Sequence, residues 1–239
     1  MDFRDFESQL LFNLEELNIK IGEEEVKKLY DYMKILLKWN DVMNLTSIVE
    51  PKEIITKHFE DSLTINKYIK DDSKIIDVGT GAGFPGIPLA ICRKNVNITL
   101  LDSLNKRINF LNEVIEDIDL NNCIAVHGRA EDLGRTKNYR EEYDVAVSRA
   151  VAPLNVLVEY LLPFVKVGGI CICMKGPKIE EELININTAL ENLGGKIEEQ
   201  DRIMLQGQEI QRNIIIIKKV AKTSMEYPRK AGIPSKKPL

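Results

Sequence analysis

The sequence of 239 residues holds no apolar run approaching the ~18 that a helix needs to cross a bilayer. It does not open like a secretion signal either. Met1-Asp2-Phe3-Arg4-Asp5 is acidic and lacks an apolar stretch, so the expected compartment is the cytosol, with no membrane partner. Cysteine is scarce: four in a chain this long do not make a disulfide framework. Cys171 and Cys173 alternate along an apolar run, as core thiols do. No His/Cys/Asp cluster has metal-ligand spacing, which argues against a metal centre. There is no internal repeat, and low complexity is confined to a basic stretch after Lys218.

What is present suits a folded domain, since 44% hydrophobic and 29% charged residues exclude wholesale disorder. The net charge of −4 conceals an asymmetry. Residues 1–72 carry 16 acids against 10 bases, whereas residues 218–239 carry seven bases against Glu226 alone. An acidic balance therefore leaves room for an acidic partner at the basic end.

Residues 1–72 read as helical. Phe3, Phe6, Leu10, Leu14 and Leu17 recur at helical spacing. A second helix follows Gly22, with Glu23, Glu24 and Glu25 at the positive end of its dipole and a packing stripe of Val26, Leu29, Tyr30, Met33 and Leu37. A third, after Pro51, holds His58. From Ser73 the pattern changes to β-rich runs alternating with helical ones: strands are expected at Lys74–Val78, Asn97–Leu101, Cys123–His127, Tyr143–Ser148 and Gly169–Met174. That alternation predicts a parallel sheet with helices on both faces. The last two runs, Lys196–Leu205 and Arg212–Lys219, are joined by a turn around Gly207 too short for a crossover, so they form an antiparallel hairpin. The expected organisation is a helical segment (1–72) packed on an α/β domain (73–220), then a basic tail (221–239) that its prolines restrict without ordering.

Asp77-Val78-Gly79-Thr80-Gly81-Ala82-Gly83-Phe84-Pro85-Gly86 lies between the first strand and a helix. Gly81-x-Gly83-x-x-Gly86, with Asp102 about 20 residues on, is a literal dinucleotide fingerprint. D-x-G-x-G-x-G from Asp77 to Gly83 is also the pattern of an adenosylmethionine loop. Pro85 and Pro88 remove backbone donors where a pyrophosphate would need them. A nucleoside sulfonium needs none, and the closing hairpin points the same way. The expected fold is thus α/β, a class I S-adenosylmethionine-dependent methyltransferase: a Rossmann-like, seven-stranded sheet with an N-terminal helical appendage. Asp102 ends the second strand, where its carboxylate can accept ribose hydroxyls, and Gly128-Arg129-Ala130-Glu131 can frame an adenine.

The sequence goes further than this generic pattern. Asn44-Leu45-Thr46, His58-Phe59-x-Asp61-Ser62-Leu63, the loop extended as F-P-G-I-P, Asp102-Ser103-x-x-Lys106-Arg107, Gly128-Arg129-Ala130-Glu131, Ser148-Arg149-Ala150, Lys175-Gly176 and Tyr227-Pro228-Arg229-Lys230-x-Gly232-x-Pro234 together resemble the RsmG (GidB) family. The resemblance implies a 16S ribosomal RNA methyltransferase that forms N7-methylguanosine at the guanine usually numbered 527. It implies cofactor contacts at Gly79, Phe84, Ala130, Glu131 and Arg149, beside Asp77, Gly81, Gly83 and Asp102 from the loop reading.

The residues are consistent with that chemistry. Guanine N7 carries a lone pair and no proton, so its methylation needs no general base. The [N/D/S]-P-P-[Y/F] motif that positions an amino group is absent after the fourth strand, as is a cysteine that could attack a pyrimidine. Arg149, Lys175 and His58 are positioning candidates, with no certain catalytic residue, and Asp61 could line the same mouth as His58. Lys106, Arg107, Arg129, Arg229 and Lys230 are the candidate RNA contacts, and the tail could add phosphate affinity. The expected partner is 16S RNA or the small ribosomal subunit, with the chain a monomer. A small-molecule methyltransferase, or a non-enzymatic cofactor-sensing protein of ribosome assembly, remains compatible with the residues alone.

Overall fold

Ile75, Ile76, Asp77 and Val78 are all buried, because strand β1 (Lys74–Val78) lies at the centre of a sheet covered on both faces. The computed structural model describes residues 1–149, 151–184, 186–205 and 210–239. Its seven strands run in the order β3-β2-β1-β4-β5-β7-β6. They are β2 (Asn97–Asp102), β3 (Cys123–His127), β4 (Tyr143–Arg149), β5 (Val165–Lys175), β6 (Gly195–Met204) and β7 (Gln211–Lys219). The first five pair in parallel, and β7 is antiparallel to both β5 and β6. The hairpin expected from the short connection is therefore present; its turn at Gly207 lies outside the described residues, as does Ala150. The chain leaves β1 towards β2 on one side and returns to β4 on the other. This reversal opens a crevice at the carboxyl ends of β1 and β4.

The helices between strands include α1 (Gly86–Cys92), α2 (Asn105–Asp117), α3 (Ala130–Leu133) and α4 (Leu154–Leu161). In the first 72 residues, αA (Phe3–Glu16) and αB (Glu23–Met43) precede a helical stretch from Pro51 to Leu63 whose middle, Ile55–Glu60, is a π-helix. Phe6, Leu10, Leu29, Leu36 and Phe59 share one apolar cluster with Ile75, Val145 and Ile172 of the sheet. The buried stripe of αB differs from expectation: Tyr32 and Leu36 are fully buried, whereas Tyr30 and Leu37 are half-buried. The cause is specific. The Tyr32 hydroxyl donates to the Ala82 carbonyl of the glycine loop, and its ring packs 5.5 Å from that of Phe84.

The segment after Lys219 is ordered by the domain, contrary to the expectation of a restricted but unordered tail. Arg140 donates to the carbonyls of Thr223, Ser224 and Tyr227, and Arg135 to those of Glu226 and Pro228. Pro228 and Pro234 are buried. Backbone carbonyls thus find strong charge-assisted donors without a strand to pair with.

Candidate active site

The glycine loop is clamped by two buried carboxylates. Asp77 Oδ2 accepts from the Thr80 hydroxyl at 2.7 Å and from the Gly86 amide at 2.9 Å. Asp102 Oδ2 accepts from the Gly81 amide at 3.0 Å. Gly81 has φ +62°, and a Cβ there would meet only the Gly79 carbonyl at 4.0 Å, so that position opens onto the crevice. Asp77 faces away from the crevice and is fully buried. Burial raises its pKa to about 6, against the opposing pull of Thr80 and the Gly86 amide. Asp77 and Gly83 therefore build the loop from behind.

The crevice contains two hollows, of about 370 and 450 Å³, which share Gly79, Asp102, Ser103 and Val151. The first runs along the ends of β2 and β3, where Gly128, Arg129, Ala130 and Glu131 form one wall. Its other wall is Tyr160 of α4 with Gly232 and Ser235. Glu131 holds this segment by accepting from the Gly232 amide at 3.0 Å. Further back, the fully buried Glu159 takes the guanidinium of Arg229 at 2.6 Å and its amide at 2.7 Å.

The second hollow lies over the glycine loop and beneath Thr46 and His58. Here the N-terminal helices meet the end of β4. Arg149 donates to Asp61 Oδ2 and the Lys57 carbonyl, each at 3.0 Å, and lies 3.1 Å from His58 Nδ1. Asp61 also accepts from Arg212 at 3.0 Å, so a carboxylate whose side chain is only 2% exposed is balanced by two cations. His58 stacks on Phe84 with centroids 4.3 Å apart, and Arg149 sits 4.9 Å from the same ring. Burial and then the Arg149 charge lower the His58 pKa to about 3, leaving a neutral imidazole.

Most of the candidate cofactor residues therefore meet in one crevice: Gly79, Gly81, Phe84, Asp102, Ala130, Glu131 and Arg149 line it, with His58. Lys175 does not; it is buried against Glu182 at 2.7 Å and the Ala152 carbonyl at 2.8 Å. Lys106, Arg129 and Lys230 are exposed near the rim, and Arg107 lies on Asp102. Arg229, by contrast, is spent on Glu159 and is not a free cation for RNA. Sequence reasoning did not single out Thr80, Tyr160 or Arg212, and it used Thr46 only as part of a motif. No local signal marks Tyr160 or Arg212; the first reaches the site through the packing of its helix and the second through its bond to Asp61.

Cys171 and Cys173 are fully buried in the core, and burial pushes the Cys173 thiol up to about 12, so neither offers a thiolate. Among the described residues no group of three His, Cys, Asp or Glu could hold a metal ion.

Comparison with known proteins agrees with this architecture. The fold is similar to that of M. jannaschii TYW2 in complex with AdoMet, with a TM-score of 0.54 at 16% identity over 67% of this chain and 75% of that one. It is also similar to a SAM dependent methyltransferase from Aquifex aeolicus, with a TM-score of 0.53 at 15% identity over 73% and 96%. The fold and the loop-lined crevice are those of a Rossmann-like, S-adenosylmethionine-dependent methyltransferase. The family profile "GidB: rRNA small subunit methyltransferase G" matches residues 25–215. A protein named Ribosomal RNA small subunit methyltransferase G from Alkaliphilus oremlandii is 55% identical, covering 93% of this chain and 94% of that protein. One of the same name from Clostridium beijerinckii is 46% identical over the full length of both. The chain belongs to the rRNA small subunit methyltransferase G family.

The residues present fit the cofactor. The open face of Gly81 admits a ligand against the backbone, Asp102 offers a carboxylate at the junction of the two hollows, and no phosphate-binding amides are needed.

Proposed function

We propose that the chain methylates N7 of one guanine in 16S ribosomal RNA, in the cytoplasm, with the RNA or the small subunit as its partner. The observation that carries this reading is that the carboxylates and the imidazole at the second hollow are, among the described residues, already engaged: Asp102 accepts from the Gly81 and Leu104 amides and from Arg107. His58 is neutral, but both ring nitrogens are engaged, by Arg149 and by Thr46. Asp61 is held between two arginines. Such a site cannot readily deprotonate an amine or hydroxyl, and N7 of guanine requires no deprotonation.

When bound, the cofactor supplies a methyl group made electrophilic by a sulfonium. Guanine N7 would take that methyl on its in-plane lone pair, with no proton for any residue of the chain to remove. The protein contributes placement and exclusion of water. In this reading Asp102 would accept a ribose hydroxyl, the Ala130–Glu131 wall and the Gly232 segment would enclose the adenine, and Arg149 would hold the methionine carboxylate. Phe84 and His58 form a stacked floor that holds Arg149 in place. Lys106, Arg129 and Lys230 form the exposed cationic rim for phosphate.

The test is transfer of label from adenosylmethionine to small subunits, naked 16S RNA or small metabolites, followed by reduction and aniline cleavage at N7-methylguanosine. Label in RNA with a single cleavage is expected. Label only in metabolites, or in RNA without cleavage, overturns the reading.

A further inference from the structure

Thr46 lies at the mouth of the second hollow, and the contact between Arg149 and His58 sets the role of its hydroxyl there. Arg149 has donors and no acceptor, so its contact with His58 at 3.1 Å makes Nδ1 the acceptor. A neutral imidazole then carries its proton on Nε2, which donates to Thr46 Oγ1 at 2.9 Å. The Ile48 amide donates to the same oxygen at 3.0 Å. A hydroxyl oxygen has two lone pairs, and both are now filled. The Thr46 proton remains, with no acceptor among the described residues. Its backbone is fixed as well, because the Thr46 amide donates to Asn40 Oδ1 at 2.8 Å. Thr46 therefore presents a donor to the hollow and cannot serve as an acceptor while the His58–Arg149 contact holds.

That polarity discriminates between purines. On the edge that carries N7, guanine presents the O6 acceptor and adenine the N6 amino donor. A fixed donor pairs with O6 but faces an N–H in adenine, where neither group is satisfied. We propose that Thr46 is a specificity-determining residue whose hydroxyl donates to O6 of the target guanine while N7 is methylated. This assignment rests on the guanine-N7 reading above. His58 and Arg149 act through Thr46, as positioning residues that hold its polarity.

The experiment compares the unsubstituted protein with Thr46→Val and Thr46→Ser on small subunits whose 16S RNA carries either guanine or 2-aminopurine at the target. 2-Aminopurine keeps N7 and lacks O6. In the unsubstituted protein the base change should lower kcat/KM by about tenfold. Thr46→Val should lower kcat/KM on guanine by a similar factor and abolish the difference between the two bases, while Thr46→Ser restores it. Taking the ratio between proteins cancels any change in the reactivity of N7. A Thr46→Val enzyme that discriminates as strongly as the unsubstituted one overturns the assignment. So does a variant whose cofactor affinity falls while discrimination persists, which would give the hydroxyl to the methionine part of the cofactor. Nitrogen NMR of His58 in the unsubstituted protein tests the premise directly: a proton on Nδ1 also overturns it. Failure of the guanine-N7 reading is distinguishable, because it appears as missing N7-methylguanosine in the unsubstituted protein alone.

Discussion

Arg107 Nη1 lies 3.1 Å from Asp102 Oδ2, the same oxygen that accepts the Gly81 amide. Asp102 Oδ1 accepts from the Leu104 amide at 2.9 Å. A carboxylate has about four lone-pair sites, so these three donors leave one free. Two ribose hydroxyls need two. A ribose that engages Asp102 through both hydroxyls must therefore displace Arg107, turning the guanidinium towards the rim.

Arg107→Ala should consequently bind the cofactor slightly more tightly and RNA more weakly. The salt dependence of RNA binding should flatten by about one unit of slope. Calorimetry with the cofactor and RNA binding across salt concentrations check the two halves separately. Equal losses in both would show that the pair is simply structural.

Two glycines of one loop should fail in different ways. Gly81→Ala places its methyl in the open crevice at a left-handed backbone position, costing about 1 kcal/mol of stability while blocking the cofactor. Gly86→Ala puts a methyl onto Leu100 Cδ2 and 2.9 Å from Asp77 Oδ2, in the core. The first variant should fold and bind poorly; the second should lose stability before anything else. Urea midpoints paired with cofactor titrations separate them.

Arg229→Ala removes the partner of a fully buried carboxylate and should cost about 3 kcal/mol. Replacing Glu159 and Arg229 together by Met should recover much of that loss. Cofactor affinity should fall with Arg229→Ala, since the same segment carries Gly232 into the first hollow. Denaturation and calorimetry on the single and double variants are the measurements; unchanged cofactor binding in Arg229→Ala would disconnect the two.

Asp77 makes stability depend on pH with a definite sign. Its pKa rises from 3.8 in the unfolded chain to about 6 in the folded one. The folded state thus binds the proton more tightly, and stability contributed by Asp77 declines as pH rises from about 4 to 6. Below that window, and above it, the contribution is constant. Asp77→Asn removes the titration, so the stability difference between the two proteins should change across this window and level off beyond it. A difference independent of pH would contradict the buried, ionisable Asp77 described here.

The strands β1 and β3 could be read to the residue because each is a short apolar run with clear boundaries. The start of β5 could not: Gly168 and Gly169 looked like a boundary, yet the strand begins at Val165. The loop was legible because its glycines, Asp77 and Asp102 lie close in sequence and answer a local steric need. His58 was not, since its environment comes from Arg149, 91 residues away, and from Thr46 on another element. The basic end was misread for a related reason. Its charge was plain, but the carboxylates and arginines that fasten it, Glu131, Glu159, Arg135 and Arg140, belong to the middle of the chain, and composition does not record pairings.

That fastening also imposes an order on synthesis. The wall formed by Gly232 and Ser235 is translated after every strand of the sheet, so a nascent chain can fold its sheet and close its glycine loop while the first hollow still stands open on one side. Such a chain would possess the residues that position a methyl acceptor before it could enclose a nucleoside. The capacity to hold cofactor is thus completed last, at a stage when the rest of the domain has already been made.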